Sequence, residues 1–232
     1  MAGKKNKNSE IKKRNLIAEV NPRSVASEQY RTIRTNIQFS AIEDDIRTVV
    51  VTSSSPGEGK STTAANLAIV FAQQGKRVLL VDADMRKPTV HFTFNIMNTL
   101  GLTNVLTRQS ELDGAVTKTE IERLDILPSG PIPPNPSELL SSRGMTSFIT
   151  AAKSVYDLIV FDSPPVLAVT DAQVLSHQCD GSILVVRSRI ADKEKAVKAK
   201  ELMLSAKARI LGVILNDKKM KSNDEYYYYG NG

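Results

Sequence analysis

Short apolar runs alternate with helix-forming stretches along most of this chain. The apolar runs predict strands at 47–52, 77–81, 124–127, 157–161, 181–186 and 209–215. The stretches between them predict helices at 25–40, 60–74, 137–152, 171–178 and 192–206, with shorter helices inside 87–123. Strands that alternate with helices form parallel sheets that are covered on both faces. The pattern therefore predicts an α/β fold built on a doubly wound, mostly parallel sheet.

A phosphate-binding loop is predicted between the first strand and the helix that follows it. Its residues read Ser54-Ser55-Pro56-Gly57-Glu58-Gly59-Lys60-Ser61, followed by Thr62. The two glycines allow backbone N–H groups to point inward, and a helix N-terminus favours anions. Lys60 is expected to reach the β- and γ-phosphates of a nucleotide, and Ser61 to hold Mg²⁺. The loop thus predicts a P-loop NTPase fold, with nucleotide contacts from Ser55, Pro56, Gly57, Glu58, Gly59, Lys60, Ser61 and Thr62.

Three carboxylates follow two later apolar runs. Asp82 and Asp84 come at the end of one run, and Asp162 ends another. Ligands of open α/β sheets bind beyond the carboxyl ends of parallel strands, so these side chains should share an edge with Lys60. Carboxylates beside a triphosphate repel it unless a divalent cation lies between them. We therefore expect Mg²⁺, held by Ser61, Asp82 and Asp162.

The bulk composition narrows the class of protein. The chain has 232 residues and a hydrophobic fraction of 41%, which fits one large α/β domain. Its single cysteine, Cys179, excludes an intramolecular disulfide and suits a reducing cytoplasm. The histidines, His91 and His177, lack partners that would indicate a zinc site. No apolar run approaches the roughly 18 residues that a membrane-spanning helix needs, so we expect a cytoplasmic protein.

Basic residues are concentrated near the start of the chain, whose formal net charge is +6. Residues 1–20 lack hydrophobic periodicity and are predicted to form a disordered tail. This tail is either an ordinary solvated segment or one that is attracted to the anionic inner leaflet of a membrane. Nucleic acid is not expected as a partner, because no interleaved aromatic residues or recognised binding module accompany the charge.

The chain changes character after Asn216. Residues 217–232 carry no core-forming pattern and are predicted to be a flexible tail, which leaves 21–216 as the folded domain. Four of the chain's six tyrosines stand side by side in this tail, at Tyr226, Tyr227, Tyr228 and Tyr229. The cluster is either an aromatic docking peptide or a set of phenols that serve as substrates.

Five motifs together resemble one family, the bacterial tyrosine kinases of capsule and exopolysaccharide synthesis. In particular the chain is similar to the separate cytoplasmic kinase chain of Gram-positive bacteria. The matching segments are the Walker A loop Ser54 to Ser61, the run Asp82-Ala83-Asp84-Met85-Arg86, the Walker B end Asp162-Ser163-Pro164-Pro165, the helical set Glu28, Arg31 and Arg34, and the cluster Tyr226 to Tyr229. The resemblance extends from Ser27 to Tyr229.

The resemblance implies an ATP-dependent tyrosine autokinase that requires Mg²⁺ and regulates capsule or exopolysaccharide synthesis. The expected catalytic residues are Lys60, Asp82 and Asp84. Asp82 is expected to accept or orient the tyrosine proton, because a phenol with a pKa of about 10 is mostly protonated at neutral pH. Asp84 is expected to assist the metal or the acceptor. Asn216, which follows the last predicted strand, is expected to contact adenine.

The resemblance also implies partners. Autophosphorylation is expected between subunits of a homo-oligomeric ring in which Glu28 meets Arg31 and Arg34 of the next subunit. The residues alone favour a simpler interpretation, in which Glu28 and Arg31 form an ion pair within one helix. A membrane-bound activator, other protein tyrosine substrates and a cognate tyrosine phosphatase are also expected. The kinase would then work in the cytoplasm, recruited to the inner face of the cell membrane.

Two alternatives share the phosphate-binding loop. Partition and cell-division ATPases share this fold, but they usually carry an extra lysine near the start of the loop, where this chain has Ser55. They also lack a terminal tyrosine cluster. The other alternative is a regulatory ATP-binding subunit that switches polymerisation without phosphorylating protein. Phosphotyrosine on the tail after incubation with ATP separates a kinase from that subunit.

Overall fold

The computed structural model of this chain describes residues 16–40, 45–188 and 191–218. Within these ranges seven strands form one sheet: β1 Thr48–Ser53, β2 Val78–Asp82, β3 Thr117–Lys118, β4 Leu124–Leu127, β5 Leu158–Asp162, β6 Gly181–Arg187 and β7 Ile210–Asn216. The helices of the same ranges are α1 Ile17–Val20, α2 Val25–Phe39, α3 Lys60–Ala72, α4 Val90–Phe94, α5 Leu102–Leu106, α6 Leu112–Ala115, α7 Pro136–Leu140, α8 Arg143–Val155, α9 Asp171–Gln178 and α10 Lys193–Ser205.

The sheet has the strand order β3-β4-β2-β5-β1-β6-β7. All neighbouring pairs are parallel except β3 with β4. The carboxyl ends of β1, β2 and β5 therefore meet at one edge, and Asp82 lies in register with Asp162 across the β2–β5 pair. The predicted α/β class with a doubly wound, mostly parallel sheet is confirmed.

The central strands are apolar at successive positions because both of their faces are buried. Val49 and Val51 of β1 belong to the hydrophobic cluster under α1, α2 and α3, whereas Val50 between them belongs to the cluster under α5, α7 and α8. Successive side chains of a strand point to opposite faces, which accounts for the division. Full burial of each such side chain stabilises the fold by roughly 1.5–3 kcal/mol. The long central strands thus fix the sheet edge on which the predicted site residues lie.

Two elements differ from the sequence prediction. The helix predicted over 137–152 is two helices, α7 and α8, separated at Ser141 and Ser142. The hydroxyl of Ser142 donates to the Leu139 carbonyl at 2.7 Å, an alternative partner that favours a break over a continuous helix. The short strand β3 was not predicted, because two residues are too few to show a strand pattern.

The start of the folded region also differs from the prediction of a disordered tail over 1–20. Residues 17–20 form α1, and Leu16 and Ala18 are buried. The Ala18 N–H donates to Asn66 Oδ1 of α3 at 2.9 Å. Gln73 Nε2, directly after α3, donates to the Ala18 carbonyl at 2.9 Å. The apolar residues at the end of the basic segment therefore belong to the domain. The basic residues Lys4 to Arg14 lie outside the described residues.

Residues 219–232, which include Tyr226, Tyr227, Tyr228 and Tyr229, lie outside the part of the chain that the structure describes. The last described segment leaves the sheet at its carboxyl edge, where the Arg187 guanidinium holds the Asp217 carboxylate at 2.9 Å. Among the described helices, none combines the length and the apolar character that crossing a membrane requires. The tyrosine tail therefore starts from the sheet edge that carries Asp82 and Asp162.

Candidate functional site

The loop between β1 and α3 is shaped by two glycines in left-handed conformations. Gly57 has φ +81° and Gly59 has φ +94°, a region that residues with a side chain rarely adopt. Gly59 caps the N-terminus of α3, so the first N–H groups of that helix face the loop. A Cβ on Gly59 would lie 2.1 Å from Asn216 Nδ2, which leaves no room for a larger residue. The loop thus has the backbone form of a phosphate cradle.

Glu58 and Asn216 support this loop from behind. Glu58 Oε2 accepts hydrogen bonds from the Ser54 hydroxyl and the Ser55 N–H, both at 2.7 Å, and the side chain is buried. Asn216 Nδ2 donates to the Glu58 carbonyl at 2.9 Å. Both side chains are thus committed to the loop itself. Nucleotide contacts by Glu58 and the adenine contact of Asn216 stay predictions.

A cleft of about 490 Å³ opens in front of the loop. Gly57 and Lys60 form one part of its lining. Asp84, Arg86 and Lys87 form another. The proline-rich loop 128–136 follows a predicted strand end, a position that predicts a border with this site. The loop instead contacts residues 98–104 and contributes nothing to the lining.

Lys60 lies at the back of the cleft between two carboxylates. Its Nζ is 3.0 Å from Asp84 Oδ2, 3.2 Å from Asp162 Oδ1 and 3.2 Å from Ser61 Oγ. Burial opposes the charge of this ammonium, but the carboxylates of Asp162 and Asp84 outweigh it and raise the pKa of Lys60 above its ordinary value. The structure therefore brings together four of the residues predicted from three separate segments.

Asp82 lies beneath this group rather than in the cleft. It is fully buried, and its Oδ2 accepts from the N–H groups of Thr89 and Val90, both at 2.9 Å. Its Oδ1 accepts from the Asp84 N–H at 3.3 Å. Burial, followed by the nearby charge of Asp162, raises the pKa of Asp82 to about 7. Of the two carboxylates expected to be catalytic, Asp84 lines the cleft, whereas Asp82 anchors the turn that carries it.

Asp162 has an unused binding capacity. It is fully buried at the end of β5, and its Oδ2 has no hydrogen-bond partner among the described residues. A buried carboxylate oxygen without a partner is costly unless a cation or donor satisfies it. Asp82 beside it adds a second carboxyl group. This donor set suits a divalent cation that also binds phosphate oxygens, as Mg²⁺ does.

The turn after Asp84 is clamped by an ion pair that the sequence reasoning missed. Arg86 Nε and Nη2 donate to the two carboxylate oxygens of Asp171 at 2.9 and 3.0 Å. The Asp171 side chain is fully buried at the start of α9. The only sequence signal was an aspartate at a helix N-terminus, which also fits an ordinary cap. The pair ties the Asp84 turn to the segment that follows Asp162.

The residues predicted to form a ring contact are engaged within the chain. Arg31 pairs with Glu28 of the same helix, as the simpler interpretation expected. Arg34 Nη1 donates to the Val70 carbonyl of α3 at 2.8 Å, and burial, followed by the charge of Arg31, lowers the pKa of Arg34. A contact of these residues with another subunit stays a prediction.

The fold and the site define a class of protein. A glycine loop joins β1 to α3, a largely buried lysine follows it, and aspartates end the neighbouring strands β2 and β5, which is the organisation of a P-loop NTPase. A protein family described as an AAA domain, AAA_31, matches residues 46–191. The match spans all of the site residues described above except those of α2 and Asn216.

Comparisons with known proteins show the particular family. The chain is 54% identical to "Tyrosine-protein kinase YwqD" of Bacillus subtilis (strain 168), over 99% of this chain and 97% of that protein. It is 39% identical to "Putative tyrosine-protein kinase CapB" of Staphylococcus aureus, over 90% and 91%. The crystal structure of the chimerical protein CapA2B2 superposes with a TM-score of 0.86 at 45% identity, over 88% of this chain and 90% of that one. The chain belongs to the bacterial tyrosine-protein kinases of capsule and exopolysaccharide synthesis. The kinase interpretation of the sequence is confirmed, and neither alternative is favoured.

Proposed function

We propose that this kinase transfers the γ-phosphoryl group of ATP to tyrosines of its own tail, Tyr226, Tyr227, Tyr228 and Tyr229, on a neighbouring copy. The observation that carries the proposal is the position of Lys60, whose ammonium lies between Asp84 and Asp162 behind a glycine loop. Phosphoryl transfer depends chiefly on positioning and charge neutralisation, which this arrangement supplies.

ATP would be held by the loop before α3. The N–H groups of Gly57 to Thr62 would donate hydrogen bonds to the β- and γ-phosphates in the cradle, and Lys60 would turn from its carboxylates to the phosphates. In the chain without nucleotide the two carboxylates keep Lys60 charged and in place, because they raise its pKa. The lysine is thus preorganised for an anion of higher charge than either carboxylate alone.

Phosphoryl transfer also requires a divalent cation, and the oxygen ligands near Lys60 fit Mg²⁺. Ser61 Oγ and the unpartnered Asp162 Oδ2 would hold the ion, with Asp82 contributing its charge from below. When bound, Mg²⁺ would neutralise charge on the phosphates during transfer. Mg²⁺ usually takes one or two protein carboxylates and completes its shell with water and phosphate, which matches this small donor set.

Asp84 is the carboxylate best placed to meet the acceptor phenol. Its side chain lines the cleft, whereas the Asp82 side chain is fully buried beneath it and does not contribute to the lining. We therefore assign to Asp84 the role of accepting or orienting the phenol proton, and to Asp82 the role of positioning the Asp84 turn. This assignment revises the expectation that Asp82 meets the phenol.

Features of the chain support the proposed acceptor and setting. The tail starts at the carboxyl edge of the sheet, beside Arg187. In an assembly joined through α2, we propose that it enters the cleft of a neighbouring copy. We further propose a membrane-bound activator, a cognate tyrosine phosphatase and other protein tyrosine substrates. The kinase would act in the cytoplasm at the inner face of the cell membrane, in the control of capsule or exopolysaccharide synthesis.

Detection of phosphotyrosine tests this function directly. The full chain incubated with ATP and Mg²⁺ should gain phosphotyrosine at 226–229, identified by mass spectrometry of the tail, and EDTA should prevent the gain. A variant with all four tyrosines changed to phenylalanine is the matched control and should show no tail phosphorylation. A wild-type chain that hydrolyses ATP while its tail stays unmodified would identify an ATPase switch instead of a kinase.

A further inference from the structure

The charged residues that line the cleft are paired, with one exception. Lys60 pairs with Asp84, and Arg86 pairs with Asp171. Lys87 lines the same cleft, its side chain is exposed, and it makes no ion pair with any of the described residues. An unpaired ammonium beside a substrate cleft is available to an anionic group of the substrate.

The position of Lys87 is fixed although its side chain is free. Its N–H donates to Asp84 Oδ1 at 3.1 Å, and the preceding Arg86 is held by the buried carboxylate of Asp171. Two residues further on, the Thr89 N–H donates to Asp82. The backbone on both sides of Lys87 is therefore tied to residues of the site. The Lys87 backbone is thereby held against the Asp84 carboxylate, where the acceptor phenol is proposed to bind.

The wall of the cleft formed by the segment after Asp162 is apolar. Pro164, Pro165, Ala168 and Val169 contribute to it, and hydrogen bonds from Thr52 to the Pro164 carbonyl and from the Val166 N–H to Ser53 fix the segment to β1. Proline and small aliphatic side chains suit the face of an aromatic ring. The cleft therefore offers an apolar surface for a phenol ring, and the neighbouring turn carries Lys87, which is unpaired among the described residues.

The tail of the chain has a charge pattern that matches this arrangement. Asp224 and Glu225 directly precede Tyr226, whereas the nearest preceding lysine is Lys221. In an extended segment successive residues are about 3.3 Å apart, so a peptide bound in that form would present two such carboxylates within roughly 7 Å of its tyrosine. A lysine side chain beside the acceptor site can span such a separation.

We propose that Lys87 binds the acidic residues that precede the acceptor tyrosine, and that it makes the kinase selective for tyrosines preceded by Asp or Glu. The inference rests on the proposed function and adds a substrate class to it: acidic tyrosine segments, of which the tail of a second copy is the first example. Lys87 acts on acceptor recognition and leaves the binding of ATP to the loop residues.

Transfer between two full-length variants tests the inference. The donor carries phenylalanine at 226–229 and keeps an intact site, and the acceptor carries Lys60→Met and keeps its tyrosines. The acceptor is prepared with its native acidic pair, with Asp224→Asn and Glu225→Gln, and with Asp224→Lys and Glu225→Lys. Initial rates of acceptor phosphorylation are measured at low acceptor concentration, together with the KM for ATP.

The donor with Lys87 should prefer the native acceptor over the neutral one by about three- to tenfold, since exposed ion pairs contribute modestly each. The preference should shrink in 0.5 M NaCl, because salt screens exposed charges. A Lys87→Glu donor should reverse the order and favour the Lys-Lys acceptor, with an unchanged KM for ATP. Phosphorylation of the Lys-Lys acceptor by the Lys87→Glu donor would also show that this donor is folded. A loss of activity alone would not show this.

A Lys118→Glu donor is the matched control. Lys118 is exposed on β3 and pairs in register with Asp125 near the start of β4, toward the edge of the sheet opposite the cleft. The same change of charge there should leave the acceptor preference unaltered. Equal rates with all three acceptors, or a Lys87→Glu donor that keeps the native preference, would overturn the role of Lys87 and leave the kinase intact. Absence of transfer to every acceptor would overturn the proposed function itself, on which this role depends.

Discussion

At the scale of single residues, the surroundings of Lys60 determine both chemistry and stability. The Lys60 side chain is only 12% exposed, and its ammonium compensates two nearly inaccessible carboxylates. A sequence pattern can identify such a lysine, but it cannot show that the same residue is buried. The pattern suggests an exposed loop lysine with little effect on the core, whereas the structure makes it part of a buried charge cluster. Its removal should therefore affect more than catalysis.

Lys60→Met should abolish phosphotransfer and lower the free energy of unfolding by about 3–5 kcal/mol at neutral pH. The reason is that Asp84 and Asp162 are left without a counter-charge in a buried site. Urea unfolding of the nucleotide-free chain measures the loss. In Lys60→Met with Asp84→Asn, much of the stability should return, because one of the two uncompensated charges is gone. Unchanged stability in the single variant would show that water or a bound ion compensates the carboxylates.

Replacement of Asp82 and of Asp84 by asparagine should affect kcat to different extents. Asp84→Asn should lower kcat by about 10²- to 10⁴-fold and keep ATP affinity, since the phenol loses its proton acceptor. Asp82→Asn keeps the shape and one acceptor oxygen, so it should lower kcat much less. Comparison of kcat with the dissociation constant for ATP checks both variants. A greater loss of kcat in Asp82→Asn than in Asp84→Asn would show that Asp82, and not Asp84, contacts the phenol.

At the scale of elements, the phosphate-binding loop depends on a close approach that only glycine permits. Gly59 and Gly75 have nearly the same conformation, with φ +94° and +96°, but only Gly59 lies against another residue, Asn216. The loop motif indicates the glycine, whereas the partner comes from a strand more than 150 positions further along the chain. Long-range contacts of this kind, including the pair of Arg86 with Asp171, leave no local sequence pattern.

Replacement of these two glycines by alanine separates backbone strain from the contact. Gly75→Ala should cost about 1–2 kcal/mol of unfolding free energy from the left-handed conformation alone. Gly59→Ala should cost roughly 1 kcal/mol more, since Asn216 has to give up its hydrogen bond to the Glu58 carbonyl. Denaturant unfolding measures both. Equal costs, or an extra cost that persists when Asn216→Ala is added, would exclude Asn216 as the cause.

At the scale of the whole molecule, the sequence predicted the strands, most of the helices and the edge on which the site lies. The alternation of apolar runs was sufficient for this, because parallel strands covered on both faces are apolar throughout. It did not predict the break between α7 and α8, the short β3 or the helical turn at 17–20, which depend on a serine contact, a two-residue pairing and packing on α3. The burial of Asp82 beneath Asp84 likewise follows from the tertiary fold.

Assembly is expected to involve α2, whose exposed pair is free to exchange partners. Glu28 and Arg31 are 48% and 28% exposed, so their pair contributes little to the stability of one chain. Changing both to alanine should alter the free energy of unfolding by less than about 1 kcal/mol, yet shift any oligomer toward the monomer. Light scattering gives the mass. Arg34 is left unchanged in this variant because it hydrogen-bonds to Val70 within the chain. An unaltered oligomer would reject α2 as the contact between subunits.

Transfer of phosphate from one chain to another tests the central claim most directly. A chain with Tyr226 to Tyr229 changed to phenylalanine is mixed with a Lys60→Met chain, ATP and Mg²⁺, and the intact mass of each chain is measured. Each variant alone should stay unmodified, and in the mixture only the Lys60→Met chain should gain phosphate, localised to its tail. Two results would contradict transfer by the Lys60 site to the tail of another copy. One is phosphate on the Lys60→Met chain when it is incubated without the phenylalanine variant. The other is no phosphate in the mixture under conditions that phosphorylate the wild-type chain.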